Sequence, residues 1–130
     1  MLLLDTHVVA WIAMDRLKLS KRAQAAIDDS RRQGGGLAIA GISLFELAHL
    51  VQRKRIEVDV SVEAFLQEVE SRFVVIPMDA VIAARSVHFP AAYPNDPIDR
   101  IIGATALIQG LPLVTADRRI RESKVLKTIW

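Results

Sequence analysis

Short blocks of apolar residues, separated by longer amphipathic stretches, form the most regular pattern in this chain. A short, continuous apolar run is typical of a strand buried on both faces of a sheet, where alternation with polar residues is lost. Such runs occur at Leu2–Leu4, Leu37–Ala40, 73–76 and 113–115. The stretch at 125–129 predicts a further strand at the edge of the sheet.

The stretches between these runs carry apolar residues three and four positions apart, which is the spacing of one helix face. Ser20 and Asp79 stand where N-caps are expected, and Gly110 stands where a helix should end. Helices are therefore predicted at 8–12, 20–32, 43–53, 61–71, 81–83, 98–109 and 117–122.

Strands that alternate with helices predict an α/β fold. The expected architecture is a three-layer αβα arrangement with a central parallel sheet of four to five strands, because parallel strands need helical crossovers on both faces. We find no linker, repeat or low-complexity segment in the 130 residues. The sequence therefore predicts a single domain over 1–130.

Composition narrows the function classes. Hydrophobic residues make up 52% of the chain and charged residues 25%, which is the balance of a folded globular protein. There is no cysteine, so a disulfide framework and a thiolate metal site are excluded. No apolar run is long enough to cross a membrane and no basic leader precedes the first strand, so a cytoplasmic protein without membrane association is expected. The net charge of +2 does not by itself indicate a nucleic-acid partner.

Acidic residues follow the predicted strands. In open parallel sheets, ligands bind beyond the carboxyl ends of the strands, so carboxylates there are candidate site residues. Like charges brought together raise one another's pKa, and a group of them calls for a cation. Oxygen ligands without cysteine or paired histidine favour Mg²⁺, with Mn²⁺ as an alternative. The candidate acids are Asp5, Glu46, Asp96, Asp99 and Asp117.

Each of these acids also stands where helix capping would explain it. Ser43 and Glu46 have the spacing of a capping box, and Asp96 precedes Pro97 at the start of a predicted helix. Asp5 and Asp117 could cap helices in the same way. Capping and metal binding are compatible, because the positive end of a helix stabilises an ionised acid. Capping alone, however, does not require every acid to follow a strand of one sheet.

Other polar residues were weighed beside the acids. Thr6 and Thr115 flank Asp5 and Asp117 and could orient them, while Thr6 could equally cap a helix. Arg100 could bind phosphate groups or form ion pairs with the acids, and the same is true of Arg118 and Arg119. Scattered histidines and the lack of a nucleophile elbow argue against a serine triad, and no phosphate-binding glycine loop is present.

Four short motifs together resemble those of the PIN-domain family, in order and spacing, and in particular its VapC toxin subgroup. The similarity covers nearly the whole chain. The motifs are Leu3-Leu4-Asp5-Thr6-His7, Ser43-x-x-Glu46, Asp96-Pro97-Ile98-Asp99-Arg100 and Thr115-Ala116-Asp117.

The resemblance implies a magnesium-dependent endoribonuclease, the toxin of a toxin-antitoxin pair, that hydrolyses RNA. Its acidic quartet maps onto Asp5, Glu46, Asp99 and Asp117, with Asp96 as a fifth acid that capping also explains. Such toxins form homodimers or hetero-oligomers with a cognate antitoxin protein that covers the cleft. The sequence departs from many relatives at His7, where they carry Ser, Asn or Cys, so different hydrogen bonding is expected beside Asp5.

Two other functions were compared with this one. A receiver-like phosphoacceptor domain needs an acceptor Asp after the middle strand and a later lysine, and Asp79 is better explained as a helix cap. A non-catalytic RNA-binding or interaction module on the same fold should lack one of the acids, and none is missing.

Overall fold

A single five-stranded parallel sheet organises the chain, and the computed structural model describes all 130 residues. The strand order is β3-β2-β1-β4-β5. Leu3 of β1 lies opposite Ala38 of β2 on one side and Leu113 of β4 on the other. The strands are β1 (Leu2–Leu4), β2 (Leu37–Ala40), β3 (Val74–Ile76), β4 (Leu113–Val114) and β5 (Thr128–Ile129).

Seven helices connect and cover these strands, and every predicted helix is present. One additional turn of 3-10 helix, at Arg16–Lys18, had no counterpart in the sequence prediction. The helices are α1 (Thr6–Met14), α2 (Lys21–Arg32), α3 (Gly41–Gln52), α4 (Val62–Arg72), α5 (Ala80–Ser86), α6 (Pro97–Gln109) and α7 (Arg118–Ser123). None of them is long and apolar enough to cross a membrane.

Two separate apolar cores lie on the two faces of the sheet. Neighbouring strand residues point to opposite faces, so Leu4 joins one core while Leu3 joins the other. The larger core is completed by buried residues of α1, α2, α3 and α4, such as Ile27 and Leu47. The smaller core contains Ile102 of α6. The predicted three-layer α/β architecture with a central parallel sheet is confirmed.

Side-chain caps at the predicted positions fix most helix starts. Ser20 Oγ accepts from Ala23 N at 3.0 Å, and Asp79 Oδ1 accepts from Ile82 N at 2.9 Å. At its other end, α6 stops at Gly110, whose φ of 65° lies in the left-handed region that glycine adopts without strain.

The predicted capping box at Ser43 and Glu46 is wrong. Helix α3 begins at Gly41, directly after β2, and has no side-chain cap. Ser43 therefore lies inside the first turn, fully buried, and Glu46 lies in the second turn. The N-cap position falls on Ala40, the last residue of β2, whose methyl side chain has no oxygen to accept a hydrogen bond.

The last two strands are shorter than the sequence pattern predicted. Thr115 N still donates to Ile129 O at 3.2 Å, but β4 ends at Val114. The apolar run at 125–129 contributes only Thr128 and Ile129 to the sheet. A continuous apolar run marks burial, and it does not by itself mark the residues that pair with a neighbouring strand.

The strand order places a topological switch point between β1 and β4. The chain moves from β1 outward through β2 to β3, and then returns to add β4 on the opposite side of β1. Crevices form at such points, beyond the carboxyl ends of the two strands that diverge. The fold therefore directs attention to the residues that follow Leu4 and Val114.

Candidate active site

Asp5 lies at the end of β1 and is held on both carboxylate oxygens. Its side chain is buried, with 3% of the residue exposed. Oδ1 accepts from Thr6 N at 2.8 Å, and Oδ2 accepts from the Thr115 hydroxyl at 2.7 Å. A buried carboxylate is costly unless it is hydrogen-bonded, so these two donors offset the cost of burial and fix the orientation of the side chain.

Thr115 connects Asp5 to Asp117 across the ends of the two central strands. The oxygen that donates to Asp5 also accepts from Asp117 N at 3.0 Å. Asp117 caps α7, with Oδ1 accepting from Ile120 N at 3.0 Å. One threonine hydroxyl thus connects two acids that follow different strands.

Thr6 and Ser43 join the starts of α1 and α3 beneath Glu46. Both residues are buried, and their hydroxyl oxygens, Thr6 Oγ1 and Ser43 Oγ, are hydrogen-bonded to each other at 2.9 Å. Glu46 is half-buried above them. Burial raises the pKa of Glu46, hydrogen bonding with the Thr6 side chain opposes that rise, and the charges of Asp5 and Asp96 add to it.

Asp96 and Asp99 open helix α6 at the same rim. Asp96 is exposed, and its Oδ1 accepts from Ile98 N at 2.8 Å and Asp99 N at 3.2 Å, as the sequence predicted for a cap. Asp99 is half-buried, and its pKa is raised from 3.8 to about 7. Burial is the largest cause of this rise, and the charges of the other four acids contribute the rest, in the order Asp5, Asp96, Asp117 and Glu46. The structure therefore brings all five predicted acids into one electrostatic group.

Cationic side chains contribute little to this group. Arg100 turns away, since its Nε donates to Pro94 O at 3.1 Å and its guanidinium lies 5.8 Å from the centre of the Phe89 ring. Arg118 is paired with Glu122 at 2.7 Å, and Arg119 is exposed on the first turn of α7. The basic side chain that faces the acids is His7, whose Nδ1 lies 3.6 Å from Asp5 Oδ2.

Sequence reasoning missed two residues that position Asp99. Tyr93 is 1% exposed, and its hydroxyl donates to Asp99 O at 2.7 Å. Its ring packs against α6 at Gly103, where an added Cβ would overlap the hydroxyl and lie 2.9 Å from Cζ. Burial and the neighbouring acids, Asp99 first, raise the pKa of Tyr93 far above its usual range, so the hydroxyl stays a donor. A glycine inside an apolar helix was the available sequence signal.

The donor set fits a hard divalent cation. No three of the acidic and histidine side chains lie close enough together to form a closed metal cage as they stand. Mg²⁺ does not need such a cage, because it keeps several waters and is held by few carboxylates. A half-buried Asp99 surrounded by four other acids is the environment in which a cation replaces protons.

Comparison with known proteins identifies the fold family. The family model described as PIN domain matches residues 2–125, which include all five acids. The chain belongs to the PIN-domain family. It is 38% identical over 98% of its length to Ribonuclease VapC22 of Mycobacterium tuberculosis (strain ATCC 25618 / H37Rv), of which 97% is covered. This relative places the chain with the VapC proteins of the family.

Solved structures show the same PIN-domain architecture at lower sequence identity. A DNA-bound VapBC from Salmonella typhimurium matches 98% of this chain and 97% of its own, with a TM-score of 0.71 and 20% identity. A toxin-antitoxin complex from Klebsiella pneumoniae matches 100% of this chain and 97% of its own, with a TM-score of 0.69 and 21% identity. At these identities, the two structures establish the fold of the PIN domain.

The raised pKa of Asp99 predicts that the metal-free PIN domain loses stability as the pH rises. The folded state binds a proton at Asp99 up to about pH 7, whereas the unfolded state releases it near 3.8. Unfolding free energy should therefore fall across this interval, by about 1–2 kcal/mol because solvent screens a half-exposed side chain. In EDTA, Asp99→Asn should remove most of the dependence of the unfolding free energy on pH. The raised pKa of Glu46 should leave a smaller decrease in the same direction. Equal slopes for parent and variant, measured by urea denaturation, would refute the grouping.

The contact between Tyr93 and Gly103 predicts an unusual response to alanine. Gly→Ala inside a helix ordinarily stabilises by up to about 1 kcal/mol. Here the Cβ must displace a buried ring, and overpacking costs about 1–3 kcal/mol, so Gly103→Ala should lower the melting temperature. Tyr93→Phe removes the hydroxyl that the Cβ would overlap, so the double variant should lose less stability than the two single losses combined. A melting temperature raised by Gly103→Ala alone would contradict this packing.

Proposed function

We propose that this chain is a metal-dependent endoribonuclease whose divalent cation, Mg²⁺ or Mn²⁺, is held by Asp5, Glu46, Asp99 and Asp117. Asp96 is a further acid at the rim of the same site. The observation that carries the proposal is the convergence of these carboxylates at the switch point, where each of the others raises the pKa of Asp99. The name of the 38% identical relative, a ribonuclease, supports the substrate class.

The protein side chains divide the work of such a site. A divalent cation, when bound, supplies the positive charge that lowers the pKa of an attacking water and stabilises the leaving oxygen of a phosphodiester. Asp5 is fixed by Thr6 N and the Thr115 hydroxyl, so it offers a preorganised charge. A bound cation would offset the neighbouring carboxylates and so lower the raised pKa values of Asp99 and Glu46.

Positive groups at the rim provide contacts for the RNA backbone. Helix α6 begins at the site, and the partial positive charge of its N-terminus attracts phosphate. Arg118 and Arg119 project from the first turn of α7 beside Asp117 and are exposed. Arg118 exchanges Glu122 for a phosphate at little cost, because an exposed ion pair contributes little to stability. Arg100 supports the site by holding the Pro94 carbonyl before α6.

We also propose that the chain is the toxin of a toxin-antitoxin pair. Toxin-antitoxin and VapBC complexes are among the similar structures, which indicates an antitoxin protein as partner and a hetero-oligomer, with or without a homodimer of this chain. A largely apolar groove of about 600 Å³ between α1 and α4 is a candidate binding surface for such a partner. It is lined by Ile12, Met14, Val58 and Phe65 among others.

The proposal predicts RNA cleavage by the partner-free protein with Mg²⁺ or Mn²⁺, and none in EDTA. Asp117→Asn keeps the helix cap, because Asn caps as well as Asp, but it removes the charge. It should lower the cleavage rate by about tenfold to a hundredfold. Asp79→Asn is the matched control, since Asp79 makes the same kind of cap bond, 2.9 Å to Ile82 N, and its charge is not among those that raise the pKa of Asp99. A non-catalytic RNA-binding module would bind RNA and leave it intact under every condition.

A second prediction uses Glu46→Gln. Because α3 has no capping box, the carboxylate has no helix-capping task, and Gln keeps its length without the charge. Stability in EDTA should stay within about 1 kcal/mol of the parent or rise, since burial already disfavours the charge. Cleavage in limiting Mg²⁺ should fall by about a hundredfold. Glu70→Gln, on the exposed side of α4, controls for the loss of one charge and should cleave at the parental rate. Parental cleavage by Glu46→Gln would remove Glu46 from the site.

A further inference from the structure

The loop between β4 and α7 is held at every peptide. Thr115 N donates to Ile129 O, and Asp117 N donates to Thr115 Oγ1. Between them lies Ala116, whose backbone N–H and carbonyl are both hydrogen-bonded to side chains outside the loop. Ala116 N donates to His7 Nε2 at 2.9 Å, and Ala116 O accepts from Arg121 Nη2 at 3.4 Å. His7 is thus the side chain through which α1 reaches this loop.

The amide of Ala116 determines which imidazole nitrogen carries the proton. A backbone N–H can only donate, so Nε2 must accept with its lone pair, and the neutral ring then carries its proton on Nδ1. Nδ1 faces Asp5 Oδ2 at 3.6 Å, longer than a hydrogen bond, so this contact is electrostatic. The proton therefore lies on the side of the ring that faces the buried carboxylate.

Packing holds the His7 ring in this orientation. Its centroid lies 4.9 Å from the Trp11 ring of α1, and Trp11 lies 5.8 Å from Trp130 beyond β5. The ring therefore lies between Trp11 on one side and the Ala116 amide on the other. These two contacts favour the orientation in which Nε2 faces the loop.

We propose that His7 is a positioning residue that ties the Ala116 peptide to α1 and so fixes Asp117 relative to Asp5. The inference rests on the proposed function only in assigning the two acids to a metal site. A second link, from the Thr115 hydroxyl to Asp5, runs beside it. Two links prevent the loop from rotating about either one, and small displacements matter at a metal site because side chains that orient the ligands determine its affinity.

The same geometry separates this role from proton transfer. Nε2 is engaged by Ala116 and Nδ1 faces Asp5, so neither nitrogen is free to reach a substrate atom. His7 therefore acts through the residues it holds. A residue of this kind can be replaced by any side chain that presents an acceptor at the position of Nε2.

Two amide substitutions test this requirement. The Gln side chain is long enough to place its carbonyl oxygen near the position of Nε2, whereas the shorter Asn side chain reaches only the position of Nδ1. His7→Gln should keep the slow hydrogen exchange of the Ala116 amide in EDTA and bind Mn²⁺ within a few-fold of the parent. His7→Asn should expose that amide to exchange and bind Mn²⁺ about tenfold more weakly, the scale of an outer-shell loss. His7→Phe keeps the aromatic contact with Trp11 but has no acceptor for the Ala116 amide. Its amide exchange and Mn²⁺ affinity should therefore resemble those of His7→Asn.

Nitrogen NMR of the unsubstituted protein in EDTA, at mildly alkaline pH, tests the inference without any variant. The His7 ring should show its proton on Nδ1. A proton on Nε2, or equal Mn²⁺ affinity and Ala116 exchange in His7→Gln and His7→Asn, would overturn the positioning role. If the Nδ1 proton and the difference between His7→Gln and His7→Asn are found, but the parent leaves RNA intact, the proposed function fails and the positioning role of His7 stands. If the parent cleaves RNA, and both variants equal it in Mn²⁺ affinity and Ala116 exchange, the positioning role fails and the proposed function stands.

Discussion

The hydrogen bond from the Thr115 hydroxyl to Asp5 Oδ2 is the contact on which the candidate site depends. It joins residues 110 positions apart in the chain, at the ends of two strands that the sheet places side by side. Without the β1–β4 register, which sets Leu4 opposite Val114, Asp5 would be a buried charge with one donor. The cost of burying an unpaired carboxylate therefore ties the acid to the pairing of the strands. The fold and the site share this constraint.

The remaining acids are brought together against their mutual repulsion. Burial and neighbouring charge raise the pKa of both Asp99 and Glu46, so the protein folds around groups that would be more stable apart. Packing elsewhere offsets this cost. Tyr93 holds the Asp99 carbonyl from a cavity that only a glycine at 103 leaves open. Strain of this kind is common at functional sites, where the arrangement that binds a ligand is not the most stable one without it.

Local patterns predicted more of this molecule than contacts between distant elements did. The alternation of apolar runs with amphipathic stretches predicted the parallel sheet and every helix, since burial and capping are decided within a few residues. The capping box at Ser43 was wrong because the helix starts at a strand end, a fact that depends on tertiary context. The contacts of Tyr93 with Gly103, and of His7 with Ala116, join separate elements. No spacing along one chain encodes such contacts. Two residues in the sequence nevertheless indicated where they occur, Gly103 because it is a glycine within a helix and His7 because many relatives carry another residue there.

The same acids can cap helices and bind a metal ion, because capping leaves some of their carboxylate oxygens without a protein partner. Asp96 and Asp117 each commit Oδ1 to backbone amides, which leaves Oδ2 of both without a protein partner. Neither Glu46 nor Asp99 caps a helix. Each carboxylate oxygen has two lone pairs, so even Asp5, with a donor on each oxygen, retains capacity to accept a cation. The caps fix where these acids stand, and the oxygens left over determine what they can bind. A residue at a helix start is therefore well suited to a metal site, because its backbone hydrogen bond provides the orientation that a ligand needs.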